Sequence, residues 1–180
     1  MMELNTLKFP IGVYAPNLNP SNEELSEWIS TIEQFPEQVK REVSNLSPVQ
    51  LLWKYRPDGW DIRQVVHHCA DSHMNSIIRF KLALTEEKPL IKPYREDLWA
   101  VLADSLEMDL NSAIKILEGV HDKWVKLLRN LNKNQLNQTF IHPEHSREIS
   151  VKENIGLYNW HCKHHLAHIK QAIKYKGEFN

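Results

Sequence analysis

Apolar residues return at helical spacing in four long stretches of this 180-residue chain. In the first, Leu25, Trp28, Ile29, Ile32, Val39 and Val43 follow a capping box formed by Ser21 and Glu24. Pro36 interrupts that run, so the pattern predicts a helix over about 22–45, kinked near the proline. A second helix, about 62–86, opens on Asp61 and Gln64 and carries Ile62, Val65, Val66, Cys69, Ile77, Phe80 and Leu84. A third, about 109–130, runs through Ile114, Leu117, Val120, Trp124, Leu127 and Leu128. The last, about 151–176, starts at a further capping box of Ser150 and Glu153 and stops at Gly177.

Between these stretches the signals are those of turns. Residues 1–20 hold three prolines and alternate poorly, which predicts an extended lead-in lying on the surface. Ser47-Pro48 starts a short helix that Arg56-Pro57-Asp58-Gly59 soon stops. A proline-bearing connection at about 88–94 precedes a short helix near 96–104. Thr139 to Ser146 reads as a short strand and turn that pairs with Glu148-Ile149-Ser150. The whole is an all-α four-helix bundle, with a hairpin-like insertion before the last helix and residues 1–180 in one domain.

Composition removes several function classes. Hydrophobic residues make up 42% and charged residues 25%, as in ordinary globular proteins. Net charge is −1 with Lys and Arg scattered, which gives no electrostatic footprint for nucleic acid. No apolar run approaches a membrane span, and no basic flank leads into an apolar block as in a secretory signal, so the cytoplasm is the expected compartment. Five glycines and no GxGxxG or Walker pattern leave no nucleotide loop. Cys69 and Cys162 suit a reducing compartment better than a disulfide framework, and read as small buried residues. The six tryptophans read as packing aromatics.

Four histidines then fall within eight residues, at His161, His164, His165 and His168. At about 100° per residue, His165 lies about 50° from the apolar stripe of its helix and His161 about 90°. His168 follows at about 110° and His164 at about 150°. The inward pair is therefore His161 and His165, four apart and stacked on one face; His164 falls at the flank and His168 on the border. On the second helix His73 lies on the apolar stripe, His67 on the polar side and His68 between them. Periodicity leaves His68 and His73 both open as a third partner. Three imidazoles fix a divalent ion and leave positions for water and substrate. Water on such an ion ionises near about pH 7, and a thiol bound there becomes a thiolate. Asp71 is a candidate acceptor for an imidazole N–H, and His142, Glu144 or His145 for the cavity mouth.

The stretch from Gly59 to Asn75 (GWDIRQVVHHCADSHMN) resembles the signature of the DinB/YfiT-like proteins, bacterial metal-dependent four-helix bundles. His142-Pro143-Glu144 is similar to the HPE-type turn of the YfiT branch, and Tyr158 to Ile169 resembles its YxWHxxHHxAHI segment. The resemblance implies His68, His161 and His165 as ligands of one divalent ion per subunit, zinc or nickel, in a homodimer. It does not imply one reaction; the first reading is a metal-dependent hydrolase in which metal-bound water attacks a small electrophilic substrate, with no protein base assigned. Related proteins suggest an alternative, transfer of a low-molecular-weight thiol of the bacillithiol type; a non-catalytic metal-binding bundle is a third reading. Asp61 and Cys162 depart from the residues usual at their positions in the motifs.

Overall fold

A computed structural model describes residues 3–144 and 147–179. His145 lies outside the described residues. Helices α1 (Leu4–Lys8), α2 (Asn22–Val43), α3 (Pro48–Leu51) and α4 (Ile62–Thr85) are followed by α5 (Glu96–Trp99) and a 3-10 turn at Asp104–Leu106. Then come α6 (Asn111–Arg129), α7 (Lys133–Leu136), β1 (Thr139–His142), β2 (Arg147–Ser150) and α8 (Val151–Tyr175). The four long helices α2, α4, α6 and α8 form the bundle. Both α2 and α4 pack against α6 and α8, so α2 and α4 occupy one diagonal.

Caps set the helix starts. Ser21 Oγ accepts from the Glu24 N–H at 3.2 Å while Glu24 accepts from the Ser21 N–H at 2.8 Å. Asp61 caps α4 in the same way, accepting from the Gln64 N–H at 2.8 Å. At α8 the expected reciprocal box is half made. Ser150 accepts from the Glu153 N–H, but the Glu153 carboxylate turns to Arg147, at 2.6 and 3.1 Å. Helix α2 runs through Pro36, and the segment expected as one helix near 96–104 is split into α5 and the 3-10 turn. Helix α7, which no apolar period announces, rests on its own capping box of Asn132 and Gln135.

The core is one cluster that includes Ile32, Phe35, Phe80, Leu117, Trp124 and Ile155, all essentially inaccessible. The antiparallel pair of β1 and β2 closes one end by placing Phe140 opposite Ile149, both buried. No helix among the described residues is long and apolar enough to cross a membrane.

The lead-in departs most from expectation. It begins as a short helix that buries Leu7, then runs antiparallel to α8 as a strap. Gln171 donates to the Leu7 carbonyl (2.8 Å), His168 to that of Lys8 (3.1 Å) and Trp160 to that of Gly12 (3.1 Å). The Tyr14 hydroxyl closes the series on the Glu153 carbonyl at 3.2 Å.

Candidate metal centre

Helix α4 supplies His68, and α8 supplies His161 and His165 one turn apart. One ring nitrogen from each lies within 4.8 Å of the other two. The His161 and His165 ring centroids are 4.4 Å apart, and His68 is 4.8 Å from His165 and 5.5 Å from His161. Trp60, from the turn ahead of α4, backs His68 at 4.7 Å. Burial lowers the His68 pKa to about 4, and holds His161 and His165 well below the usual histidine range. All three are therefore neutral imidazoles at physiological pH, the form that ligates a cation. The donor set fits a divalent ion of the zinc, nickel, copper or iron group.

His161 and His165 open on a cavity of about 380 Å³, with His68 behind them. Phe9 from the strap, Tyr55, Trp60 and Trp160 form its aromatic walls. Lys8 and Arg56 bring two cations to it, and Asp58 and Glu96 two carboxylates. Desolvation raises the Glu96 pKa, helped by the neighbouring charges of Asp97 and Glu144. None of these wall residues was singled out by sequence reasoning as part of a site, since they come together from α1 and the strap, the loop before α4, α5 and α8. Trp60 and Trp160, read as packing aromatics, are walls instead.

The remaining histidines correct the phase count. His164 and His168 are buried, at 6% and 2% exposure, not at the flank and border. The strap, the loop before α4 and Trp160 of α8 itself cover them: Trp160 stacks on His164 at 4.2 Å, Phe9 approaches it at 6.0 Å, and Tyr55 stacks on His168 at 3.7 Å. His67 is also buried, although its position predicted the polar side. His73 is fully buried and bonds the ligand candidate His161, Nε2 to Nδ1 at 3.1 Å. That is the acceptor role expected of Asp71, whose carboxyl hydrogen-bonds none of the three rings and is raised to about 6 by burial. His121, on α6, extends the contact from the far side of His73 at 2.6 Å. Its signal was present in the sequence: with Leu117, Trp124 and Leu128 it lies on one apolar stripe.

Cys69 and Cys162 are free, buried thiols whose pKa values burial pushes up, so Cys162 is packing and not a reactive group beside the site. His142 and Glu144 do not line the cavity, although the Glu144 charge reaches Glu96.

Residues 31–169 match the model of the DinB superfamily. YfiT of Bacillus subtilis, a protein named provisionally as a metal-dependent hydrolase, is 44% identical over 171 residues, covering 95% of this chain and 96% of its own. A protein of Oceanobacillus iheyensis with the same provisional name is 47% identical over 94% of this chain and 97% of its own. The solved structure of YfiT from Bacillus subtilis, described as a probable metal-dependent hydrolase with an unusual four-helix bundle topology, superposes with a TM-score of 0.92. That likeness holds at 43% identity over 97% of this chain and 99% of the other.

Proposed function

Because the chain belongs to the DinB superfamily, in its YfiT-like branch, we propose that it is a metal-dependent hydrolase whose ion is held by His68, His161 and His165. The observation that carries this reading is the convergence of three neutral imidazoles, two of which line one aromatic-walled cavity. A divalent ion bound there polarises water and lowers its pKa from about 15.7 towards about 7, which supplies a nucleophile at neutral pH.

The chain's own residues do the rest. Phe9, Tyr55, Trp60 and Trp160 hold the apolar body of a small substrate and exclude bulk water. Lys8 and Arg56 offer N–H donors to negative charge that develops on the substrate oxygen. Glu96, with its raised pKa, takes a proton at the cavity wall and returns it to the leaving group. An acidic thiol cosubstrate calls for a basic cleft, and here two carboxylates offset two cations, so hydrolysis is the reading the cavity favours.

The test is to incubate zinc- or nickel-loaded protein with a panel of small esters, amides and halides, with and without low-molecular-weight thiols, and to identify products by mass spectrometry. Hydrolysis that weakens in Glu96→Gln supports the proposal. Thiol conjugates in place of hydrolysis products overturn it in favour of S-transfer. Tight metal binding with neither product marks the ion as structural.

A further inference from the structure

Helix α2 contains a proline in its interior, and its consequence reaches the metal centre. Pro36 has no N–H, so the carbonyl of Ile32, four residues earlier, lacks its helical donor. Ile32 is fully buried, and a buried carbonyl requires a partner. His121 Nδ1, from α6, supplies one at 2.5 Å.

We propose that His73 and His121 are positioning residues for the metal centre. Through them a hydrogen-bonded chain from the Ile32 carbonyl fixes the proton of His161 on Nδ1 and leaves its Nε2 for the ion. The inference rests on the reading of His161 as a ligand.

The direction of each bond follows from the first. A carbonyl only accepts, so His121 Nδ1 carries the ring's proton and its Nε2 is bare. His73 Nδ1, 2.6 Å away, must then donate to it. A second proton on His73 would bury an unpaired charge among Phe35, Trp124 and Tyr158, so His73 Nε2 is bare as well. His161 Nδ1, at 3.1 Å, therefore donates, and the lone pair of His161 sits on Nε2. One other group reaches that lone pair. Ser72 Oγ is 3.5 Å from it, and the Tyr158 hydroxyl donates to the Ser72 carbonyl at 3.1 Å. The Tyr158 oxygen, 3.1 Å from Ser72 Oγ, is then a nearer acceptor for the Ser72 proton than His161 Nε2.

The chain draws one group from each bundle helix: Ile32 from α2, His73 from α4, His121 from α6 and His161 from α8. It acts on His161 and not on His165, whose Nδ1 is buried with no partner among the described residues. Partners behind a ligating imidazole fix its tautomer and orientation, and their loss typically lowers metal affinity by about 10–100-fold.

The experiment combines nitrogen-15 NMR of histidine-labelled, chelator-stripped protein with zinc titration of the wild type, His161→Ala, His121→Phe and His121→Gln. In the wild type His161 should carry its proton on Nδ1. His121→Phe should mix the tautomers and weaken zinc binding by about 10–100-fold. His121→Gln, whose amide can donate to Ile32 and accept from His73, should restore part of the affinity. An Nε2-protonated His161 in the wild type overturns the inference, and so does wild-type affinity with an unchanged tautomer in His121→Phe. If His121→Phe does not fold, the wild-type spectrum and His121→Gln decide. Undiminished zinc binding in His161→Ala instead strikes the ligand reading itself.

Discussion

His121 should couple acid to unfolding, by an amount its surroundings set. The ring is 2% exposed, and burial lowers its pKa from 6.5 to about 4. Between these values the unfolded chain takes a proton that the folded chain refuses, so stability is full above pH 6.5 and falls as pH falls towards 4. At about pH 5 the deficit is about 1.5 pH units at about 1.36 kcal/mol each, or about 2 kcal/mol. His121→Phe removes the titrating group and keeps a ring against Phe35 and Trp124, now 5.8 and 5.7 Å from the imidazole. Its baseline will be lower, because the Ile32 carbonyl and His73 Nδ1 lose their partner, at about 1–3 kcal/mol each. The informative quantity is therefore the change with pH within each protein. Urea unfolding followed by helical circular dichroism, in chelator at about pH 7.5 and about pH 5, measures it. The wild type should lose about 2 kcal/mol more than the variant between the two conditions. Equal losses would refute the argument that this buried ring stays neutral while the protein is folded.

Other consequences are simpler to check. His165→Ala should abolish stoichiometric zinc or nickel while helicity survives; retained metal in elemental analysis would remove His165 from the ligand set. Cys69 and Cys162 should resist an aromatic disulfide reagent in the native protein and both react on unfolding, because burial raises their thiols. Leu117→Ala, at a fully buried site facing the bundle core, should cost about 3 kcal/mol in urea unfolding. Asp61→Ala removes the cap on α4 and the 3.0 Å pair with Arg63, and should cost about 1–2 kcal/mol by the same measurement.

The bundle was legible because its signals are local. Apolar period and caps mark α2, α4, α6 and α8 to within a few residues. The strap was not legible, because what fixes it is long-range: carbonyls of Leu7, Lys8 and Gly12 against Gln171, His168 and Trp160. That omission explains the misplaced histidines. A helical phase count finds the face turned to other helices, and it puts His164 and His168 away from that face. Both are nevertheless buried, since Phe9, Tyr55 and Trp160 cover the sector the helices leave open. Glu153 shows the same limit at smaller scale. Its spacing from Ser150 suits a capping box, but Arg147 from β2 offers a charged partner and wins the carboxylate.

At the site, the inward pair His161 and His165 followed from spacing, while His68 was ambiguous for a physical reason. A buried residue with polar sequence neighbours on its helix face looks solvent-facing in sequence. His121 was hidden by the opposite effect, since a histidine on an apolar stripe reads as packing, and His73, on such a stripe, was open only as a third ligand. Pro36 read as a kink. In the folded protein these three residues are one device. An interior proline implies an unpartnered carbonyl four residues earlier, and if that carbonyl is buried, a neighbouring helix must supply a donor. A histidine on the facing apolar stripe is suited to the task, because its second nitrogen then becomes a bare acceptor inside the core. That acceptor demands a donor in turn, and the demand passes from ring to ring until it meets a lone pair that a cation can take. The proline and the two stripe histidines were visible separately; that Ile32 lies against His121 is tertiary register, which no local pattern encodes.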